Sequence, residues 1–271
     1  MGTKAIIKKI IERAGYTVHR LPSRNSEIND HAEIYEQPDI YDQDGLRSIH
    51  NHDFMSDALF CKAYQRGCHA AIDYRWHWRV HIGLWAAFAA SKLEGDFVEC
   101  GVNPGFLSSS IMEFLNWDSL DKTFYLLDTF EGLDLRYCSN EDIKAGAEKK
   151  NETALQSGAY VKGVESVKAN FSQWNNIKII KGSIPETLNQ VDTSRVAYLH
   201  VDMNCSPPEV AAMNWFWDRL LPGAVVLFDD YAYRGYETQK HALDGFAKQK
   251  NVMIASLPTG QGLLLKPIQN L

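Results

Sequence analysis

Three aspartates stand where predicted strands end. Asp202 closes the run YLHVD, and the pair Asp229-Asp230 closes the run VVLFDD. In a parallel sheet wound in the usual order these strands are neighbours about 4.8 Å apart, so we expect the three carboxylates to meet at one edge. Crowded carboxylates repel one another unless a cation joins them, and no basic residue stands beside them in the sequence. The alternative is that each aspartate only caps a turn.

Oxygen ligands with room for water suit Mg²⁺, with Mn²⁺ or Ca²⁺ as further possibilities. Because Mg²⁺ typically takes only one or two carboxylates directly, we expect unequal roles. Asp202 and Asp229 end neighbouring strands and are the predicted direct ligands. Asp230 begins the next turn and is expected to act through water.

A glycine-containing loop and a fourth aspartate stand earlier in the chain. Gly101-Val102-Asn103-Pro104-Gly105 follows a predicted strand and opens a helix, and such glycines let backbone N–H groups approach a ligand. The next strand ends in Asp128, where an acid can accept both hydroxyls of a ribose. Together they favour a nucleoside-containing cofactor without distinguishing NAD from S-adenosylmethionine. The alternatives are an ordinary strand-to-helix turn and a capping aspartate.

Predicted strands and helices, which must position these residues, alternate from residue 96 onward. Apolar runs predict strands at 97–101, 123–128, 177–181, 196–202 and 224–229. Between them the pattern predicts helices at 106–116, 141–170 with a break near Gly158, 184–190, 207–221 and 236–250. Residues 252–257 and 263–266, joined by Pro258-Thr259-Gly260, predict a terminal antiparallel hairpin. The fold class is therefore α/β, a doubly wound, mostly parallel sheet of six or seven strands.

Residues 1–95 lack this alternation, which predicts a helical leading region before a cofactor-binding domain at 96–271. Residues 4–14 form an amphipathic stripe that would dock on the protein itself, on a partner subunit or on a membrane surface. Residues 22–53 are polar and loop-like. Helices are predicted at 53–72 and 75–93, the second rich in aromatic residues. Its Trp76, Trp78 and Trp85 are expected in the core or at a subunit interface, with the lining of a pocket for an apolar or sugar acceptor as the alternative.

Composition narrows the class of protein. The 271 residues carry a net charge of −6, which disfavours non-specific binding to nucleic acid. The longest apolar run, 82–90, is far short of the roughly 20 residues of a membrane span. The start, MGTKAIIKKI, lacks the features of a secretory signal. Five scattered cysteines without a C-x-x-C pair indicate reduced thiols, and hence a cytoplasmic protein.

Six segments in order resemble the motifs of the macrocin O-methyltransferase family, between about residues 93 and 250. They are EGDFVECGVNPG, FYLLDTFEGL, KGSIPETL, YLHVDMN, LLPGAVVLFDDY and GYETQKHALDGF. The resemblance implies a class I, S-adenosylmethionine-dependent, metal-assisted enzyme that methylates a hydroxyl of a sugar or natural-product glycoside. It also implies a seven-stranded sheet, and a leading region that shapes the acceptor pocket and the contacts of a homodimer or larger homo-oligomer.

The resemblance further implies roles for single residues. The loop with Glu99, Gly101 and Gly105 would hold the methionine part of the cofactor, Asp128 the ribose, and Gly182 with Ser183 the adenine. Asp202, Asp229 and Asp230 would surround Mg²⁺ or Mn²⁺. After Asp202 the family commonly has a second acid and an aromatic residue, where this chain has Asn204, Cys205 and Ser206.

For methyl transfer the acceptor oxygen must lose a proton, and a hydroxyl bound to a divalent cation loses it more easily. Asp202 is the candidate catalytic base. His200 faces the same side of its strand but is expected to be a satisfied core residue, and His241 is expected on a helix surface.

Three other functions remain open at this stage. A nicotinamide-dependent oxidoreductase would share the ribose acid, but it needs a tighter glycine fingerprint and does not explain three converging aspartates. A nucleic-acid methyltransferase lacks its Asn/Asp-Pro-Pro-aromatic motif here. A non-catalytic S-adenosylmethionine-binding scaffold would not require all three aspartates. The identity of the acceptor and the size of the oligomer are not determined by the sequence.

Overall fold

Nine strands are formed in the computed structural model, which describes residues 39–268. In chain order they are β1 Tyr41–Gln43, β2 Leu46–Ser48, β3 Asp96–Cys100, β4 Phe124–Asp128, β5 Ile177–Lys181, β6 Val196–Val201, β7 Leu220–Phe228, β8 Ala255–Ser256 and β9 Gly262–Leu265. The predicted helix at 4–14 and residues 22–38 of the predicted polar segment lie outside the described residues.

Helices connect most of the strands. They are α1 Ala58–Ala70, α2 His77–Ser91, α3 Phe106–Leu115, α4 Asn140–Lys144, α5 Ala147–Ser157, α6 Glu165–Phe171, α7 Ser206–Phe216 and α8 Glu237–Gln249. Short 3₁₀ turns occupy Asp53–Ser56, Trp117–Ser119, Leu135–Tyr137 and Leu188–Gln190. Within the described chain, no helix is both long and apolar enough to span a membrane.

Seven of the strands form one sheet in the order β5-β4-β3-β6-β7-β9-β8. The first five pair in parallel, whereas β9 runs antiparallel to both β7 and β8. The doubly wound sheet with a terminal antiparallel hairpin is thus confirmed. The chain winds outward from β3 to one side and from β6 to the other, so a crevice opens between these two strands at their carboxyl ends.

Alternate residues of the strands pack on opposite faces of this sheet. One face buries Val98, Leu199, Val201, Val226 and Phe228 against Met213 and Phe216 of α7 and Leu243 and Phe246 of α8. The other buries Phe97, Phe124, Tyr198, Val225 and Leu227 against α1, α2 and α3. Strands buried on both faces explain why their sequences are almost continuously apolar.

The helices before the sheet share the second of these cores. Asp57 caps α1 by accepting hydrogen bonds from the backbone N–H groups of Leu59 and Phe60, and Leu84 of α2 is fully buried. Residues from Ile40 onward belong to one compact unit. The change of pattern near residue 95 is therefore a change of secondary structure within one shared core.

Several predicted elements differ from those observed. The predicted helix 184–190 is only the 3₁₀ turn Leu188–Gln190, because Pro185 restricts the residue before it and lacks an N–H donor. The stretch 141–170 forms three helices, α4, α5 and α6, and the predicted break near Gly158 is confirmed, because Gly158 ends α5. The helix 207–221 ends at Phe216, and β7 begins at Leu220.

One local prediction was also wrong: residues 41–48 were expected to be loop but form the β1–β2 hairpin. At the start of α7, Cys205 is the N-cap residue, and the Ser206 hydroxyl donates to Asp142.

Candidate functional site

The strand register brings the predicted aspartates together. Cys100 aligns with Val201, and Val201 aligns with Phe228, so the next residue on each strand lies at the same edge of the sheet. The N–H of Asp202 donates to the Cys100 carbonyl at 2.8 Å, and the N–H of Asp229 donates to the Val201 carbonyl at 3.0 Å. Asp202, Asp229 and Asp230 each offer one oxygen atom, and these atoms all lie within 4.8 Å of one another. The predicted convergence is confirmed.

The expectation that no basic residue neutralises this acidic cluster was wrong. Arg79, on the buried side of α2, donates through Nη1 to Asp229 and to Asp230, the latter at 3.2 Å. Its Nε donates to Asp44, at the tip of the β1–β2 hairpin, at 3.1 Å. The side chain of Arg79 is 6% exposed. Because Arg79 precedes the cluster by about half the chain, sequence neighbourhood alone did not reveal it.

Asp229 is the most fully hydrogen-bonded of the three aspartates. It accepts from Arg79 and, at 3.1 Å, from Nε2 of Gln261, and Nε2 of His200 lies 3.7 Å away. Burial alone would raise its pKa, but the positive charges of Arg79 and His200 hold the pKa of Asp229 well below its usual range. Asp229 therefore stays ionised.

His200 connects Asp229 to Glu99 beneath the site. Its Nδ1 lies 2.8 Å from Oε1 of Glu99 on the adjacent strand β3. Burial opposes its charged form, but hydrogen bonds and charge from Asp229 and Glu99 raise the pKa of His200 to about 10. His200 is buried, in line with the expected core position, but its Nε2 has no hydrogen-bond partner within the described residues. His241 is exposed on α8, also as expected.

Within residues 39–268, Asp202 and Asp230 have fewer contacts with positively charged groups than Asp229 has. Burial and the neighbouring charges of Asp229 and Asp230 raise the pKa of Asp202 well above its usual value. Burial and the charge of Asp229 likewise raise the pKa of Asp230 to about 6. Even with Arg79 present, the cluster is short of positive charge, and its oxygen donors match a hard divalent cation. The residues present therefore fit a Mg²⁺ or Mn²⁺ ion.

A cleft of about 400 Å³ extends from the acidic cluster along the carboxyl edge of β3 and β4. Gly101, Asp128, Gly182 and Ser183, four of the predicted cofactor residues, line it together with all three cluster aspartates. Glu99 and Gly105 do not line this cleft. The geometry of this cleft therefore does not support the predicted cofactor contacts of Glu99 and Gly105.

The glycines of the loop have distinct local functions. Gly101 has φ of 92°, and a Cβ atom there would lie 1.8 Å from the Asp202 carbonyl oxygen, so only glycine fits where β3 meets β6. A Cβ atom at Gly105 would meet the ring of Phe171 at 2.4 Å. Gly101 thus lets the cofactor cleft and the acidic cluster adjoin, whereas Gly105 serves the packing of α3 against α6.

Asp128 holds the glycine loop in place. Its Oδ2 accepts from the N–H groups of Val102 and Asn103 at 2.7 and 2.8 Å, and its Oδ1 accepts from the N–H of Phe130 at 2.5 Å. Burial outweighs these hydrogen bonds and raises the pKa of Asp128. The Asp128 carboxylate borders the cleft, so it can hold the glycine loop and also accept a hydrogen bond from a ligand hydroxyl.

Several lining residues were missed or misjudged from the sequence. Asp134 of the segment after β4 accepts from the Ser183 hydroxyl at 2.5 Å at the end of the cleft away from the acidic cluster. An aromatic set lines the cleft: Tyr74, Trp76, Tyr137, Tyr160, Tyr233 and Tyr236. Trp76 borders the cleft, which agrees with the alternative of a pocket-lining residue rather than with the favoured core or interface position. Tyr233 and Tyr236 follow Asp230 closely in the sequence, so the segment YAYRGY could have indicated aromatic residues beside the acidic cluster.

The comparisons with known proteins agree with this geometry. The family described as Macrocin-O-methyltransferase (TylF) matches residues 84–256, more than half of the chain. A curated relative from Streptomyces olivaceus, 8-demethyl-8-(2,3-dimethoxy-alpha-L-rhamnosyl)-tetracenomycin-C 4'-O-methyltransferase, is 25% identical over 148 residues, 53% of this chain and 55% of that protein. The chain thus aligns with about half the length of that relative.

Among solved structures, the O-methyltransferase NovP superposes with a TM-score of 0.58 at 16% identity, over 73% of this chain and 81% of that one. This likeness shows that the two proteins share a fold. The residues matched by the family contain β3 to β8 and all three aspartates of the acidic cluster. The chain belongs to the macrocin-O-methyltransferase family.

Proposed function

We propose that the protein transfers a methyl group from S-adenosylmethionine to a hydroxyl of a sugar or natural-product glycoside, assisted by Mg²⁺ or Mn²⁺. The observation that carries this proposal is the single cleft that joins Asp128 and the glycine loop at one end to the acidic cluster at the other. The curated relative, which by its name methylates the 4'-oxygen of a rhamnosyl group, supports the sugar hydroxyl as acceptor.

The proposed cofactor contacts use residues that border the cleft. Asp128 would accept the ribose hydroxyls, Gly101 would let the methionine part approach the backbone, and Gly182 with Ser183 would lie beside the adenine. S-Adenosylmethionine, when bound, supplies an electrophilic methyl group. Asp134, already hydrogen-bonded to Ser183, closes this end of the cleft.

The acceptor proton would pass to Asp202. Its Oδ1 accepts a hydrogen bond from Nδ2 of Asn204 at 3.1 Å, which fixes the carboxylate at the end of β6. A divalent cation in the cluster would lower the pKa of a hydroxyl bound to it. Holding that oxygen in place beside the cofactor can itself contribute up to roughly 7–11 kcal/mol for ideal placement.

The hydrogen bonds within the acidic cluster change which aspartates we expect to bind the metal directly. Asp229 already accepts from Arg79 and Gln261, whereas the side chain of Asp230 accepts, among residues 39–268, only from Arg79 at 3.2 Å. We therefore infer that Asp202 and Asp230 are the principal ligands. Asp229 would complete the set while anchoring Arg79.

The proposal also includes the compartment, the partners and the oligomeric state of the protein. All five cysteines are free thiols, which supports a reducing cytoplasm as the working compartment. The partners would be small molecules, with no role for nucleic acid or a membrane surface. The leading region would contribute to a homodimer or larger homo-oligomer.

Calorimetry and a transfer assay test the proposal together. We expect the full chain to bind S-adenosylhomocysteine, not to bind NADH, and to transfer labelled methyl groups from S-adenosylmethionine to methyl α-L-rhamnopyranoside in the presence of Mg²⁺. Preference for NADH would indicate an oxidoreductase. Cofactor binding without transfer to any hydroxyl acceptor, with or without metal, would indicate a non-catalytic scaffold.

A further inference from the structure

We propose that Asp44 recognises the acceptor by accepting a hydrogen bond from one of its hydroxyl or ammonium groups, and that the acceptor is an uncharged or cationic glycoside. A sugar that carries a nucleoside diphosphate would be disfavoured. The inference rests on the proposed methyltransferase function and names the class of its acceptor.

The β1–β2 hairpin brings Asp44 to the cleft. Asp44 and Gly45 have φ of 51° and 72°, the positive values of a two-residue hairpin turn, for which Asp-Gly is a favoured sequence. The base of the hairpin is held by Tyr41, which is buried against the rings of His77 and Trp78 and donates to the Arg75 carbonyl. The turn is therefore anchored so that its tip borders the cleft.

The carboxylate of Asp44 has unused hydrogen-bonding capacity. Its side chain is only 10% exposed and lines the same cleft as Asp202. Oδ2 accepts from Nε of Arg79 at 3.1 Å, and Oδ1 accepts a long bond of 3.4 Å from the Tyr233 hydroxyl. Each oxygen can accept two hydrogen bonds, so the contacts found within residues 39–268 leave room for a donor from the ligand.

A fourth carboxylate beside the acidic cluster is unfavourable without a ligand. Arg79 bridges Asp44 to Asp229 and Asp230 but brings only one positive charge. The described lining of the whole cleft holds six aspartates against one arginine and one lysine, namely Asp44, Asp128, Asp134, Asp202, Asp229 and Asp230 against Arg79 and Lys150. A divalent cation would leave a surplus of negative charge, which repels phosphates and favours hydrogen-bond donors and cations.

Aromatic side chains near Asp44 fit the rest of a glycoside. Tyr74 and Trp76 stack on each other with ring centres 4.2 Å apart, and the guanidinium of Arg79 lies over the ring of Trp76 at 5.3 Å. Both rings border the cleft, so they offer an apolar wall beside the polar tip of the hairpin. A sugar ring presents the same combination of apolar C–H faces and hydroxyl donors.

The experiment uses the full chain loaded with S-adenosylmethionine and Mg²⁺, and three probes built on one sugar. These are methyl α-L-rhamnopyranoside, a methyl glycoside in which an amino group replaces one hydroxyl, and the same sugar linked to a nucleoside diphosphate. We compare the wild type with Asp44→Asn, which keeps the size of the side chain and an oxygen for Arg79. Asp42→Asn on the same hairpin is the matched control, because Asp42 is 64% exposed and lies outside the cleft.

We expect the wild type to use both glycosides in preference to the nucleotide-linked sugar. Asp44→Asn should raise the KM for the amino glycoside at least tenfold, with unchanged affinity for S-adenosylhomocysteine, and Asp42→Asn should match the wild type. Transfer that prefers the nucleotide-linked sugar, or that is unchanged in Asp44→Asn, overturns the inference while leaving the methyltransferase proposal in place. Transfer to none of the three probes overturns the acceptor class. If the wild type does not bind S-adenosylhomocysteine, the proposed methyltransferase function itself is wrong.

Discussion

Arg79 and Asp229, 150 residues apart, form a buried ion pair that joins α2 to the carboxyl end of β7. Both side chains are less than a tenth exposed, at 6% and 8%. The pair places a positive charge from the leading region inside the acidic cluster. The charge of the site is therefore set jointly by the helices before the sheet and by the ends of its strands.

Removing this charge should strengthen metal binding. We expect Arg79→Met to bind Mn²⁺ at least about tenfold more tightly than the wild type, because a fixed cation that repels the ion is lost while the carboxylates remain. Arg79→Lys, which keeps the charge, is the control and should resemble the wild type. Free Mn²⁺ followed by electron paramagnetic resonance gives both affinities. Weaker binding by Arg79→Met would show instead that Arg79 mainly holds the ligands in position.

The metal requirement can be tested on the reaction itself. Methyl transfer should stop with EDTA and return with Mg²⁺ or Mn²⁺. Asp202→Asn should lower kcat by roughly 10²–10⁴-fold, as expected for loss of a general base, and Asp230→Asn should raise the metal concentration needed. Neither variant should change the affinity for S-adenosylhomocysteine. Full turnover by thoroughly chelated enzyme would rule out the metal and leave Asp202 as a base alone.

Asp229→Asn should behave differently from these two variants. It removes one of three carboxylates that pair with Arg79, while Asp44 and Asp230 remain beside the guanidinium. The cost should therefore lie at or below the about 3–5 kcal/mol of leaving a buried charge without its partner. We therefore expect a lower melting temperature by calorimetry as well as lower activity. A variant that loses activity but keeps the stability of the wild type would mean that the Arg79–Asp229 pair contributes little to folding.

Asp128 should be required for the cofactor. We expect Asp128→Asn to weaken S-adenosylhomocysteine binding by about 1.5–3 kcal/mol, because the charged acceptor is lost and the single amide oxygen cannot accept from Val102 and Asn103 on one side and from Phe130 on the other. Isothermal titration calorimetry measures this. Asp192→Asn at the opposite edge of the sheet, where Asp192 pairs with Lys178, is the control. Equal affinities of all three proteins would place the ribose elsewhere.

Glu209 gives a prediction about pH. It is 4% exposed in the first turn of α7, and burial raises its pKa to about 8, well above the value near 4.5 of the unfolded chain. Between these pH values the folded state holds the proton and the unfolded state does not, so stability falls as pH rises, by at most about 1.4 kcal/mol per pH unit. Glu209→Gln should thus be more stable than the wild type at pH 8.5 and similar at pH 4.5.

Thermal unfolding at both pH values measures this difference. Glu237→Gln is the matched control, since Glu237 occupies the first turn of α8 but is exposed. A stabilising effect of Glu209→Gln that is equal at both pH values would show that the proton on Glu209 is not the cause.

The leading region can be divided by truncation. A chain that starts at Ile40 should fold and bind S-adenosylhomocysteine, because residues from Ile40 onward form one compact unit. A chain that starts at Leu93 should fail to fold, because it lacks α1 and α2, which bury Phe60 and Leu84 in the shared core. Circular dichroism and light scattering on both chains and on the full chain test the predicted boundary near residue 95 and the predicted oligomer. A well-folded chain from Leu93 would show that the sheet domain is independent.

The sequence by itself determined the sheet and the convergence of its aspartates. Both are local properties: a strand buried on both faces must be apolar, and a polar residue that ends such a run must lie at the edge of the sheet. Asp202 and Asp229 could be placed side by side because neighbouring parallel strands end together. The cleft next to Gly101 and Asp128 follows from the same rule, since ligands bind beyond the carboxyl ends of such strands.

Only the tertiary structure decided what surrounds those aspartates. Arg79 and Asp44 lie on a helix and a hairpin whose own patterns carry no sign of the site, and their distance from β7 in the sequence is no guide to their distance in space. The pKa values of Asp202 and Asp229 diverge because Arg79 and His200 contact one of them and not the other. Electrostatic interactions depend on separation and burial, which the order of residues does not contain, so the chemistry of the cluster became assignable only once the chain was folded.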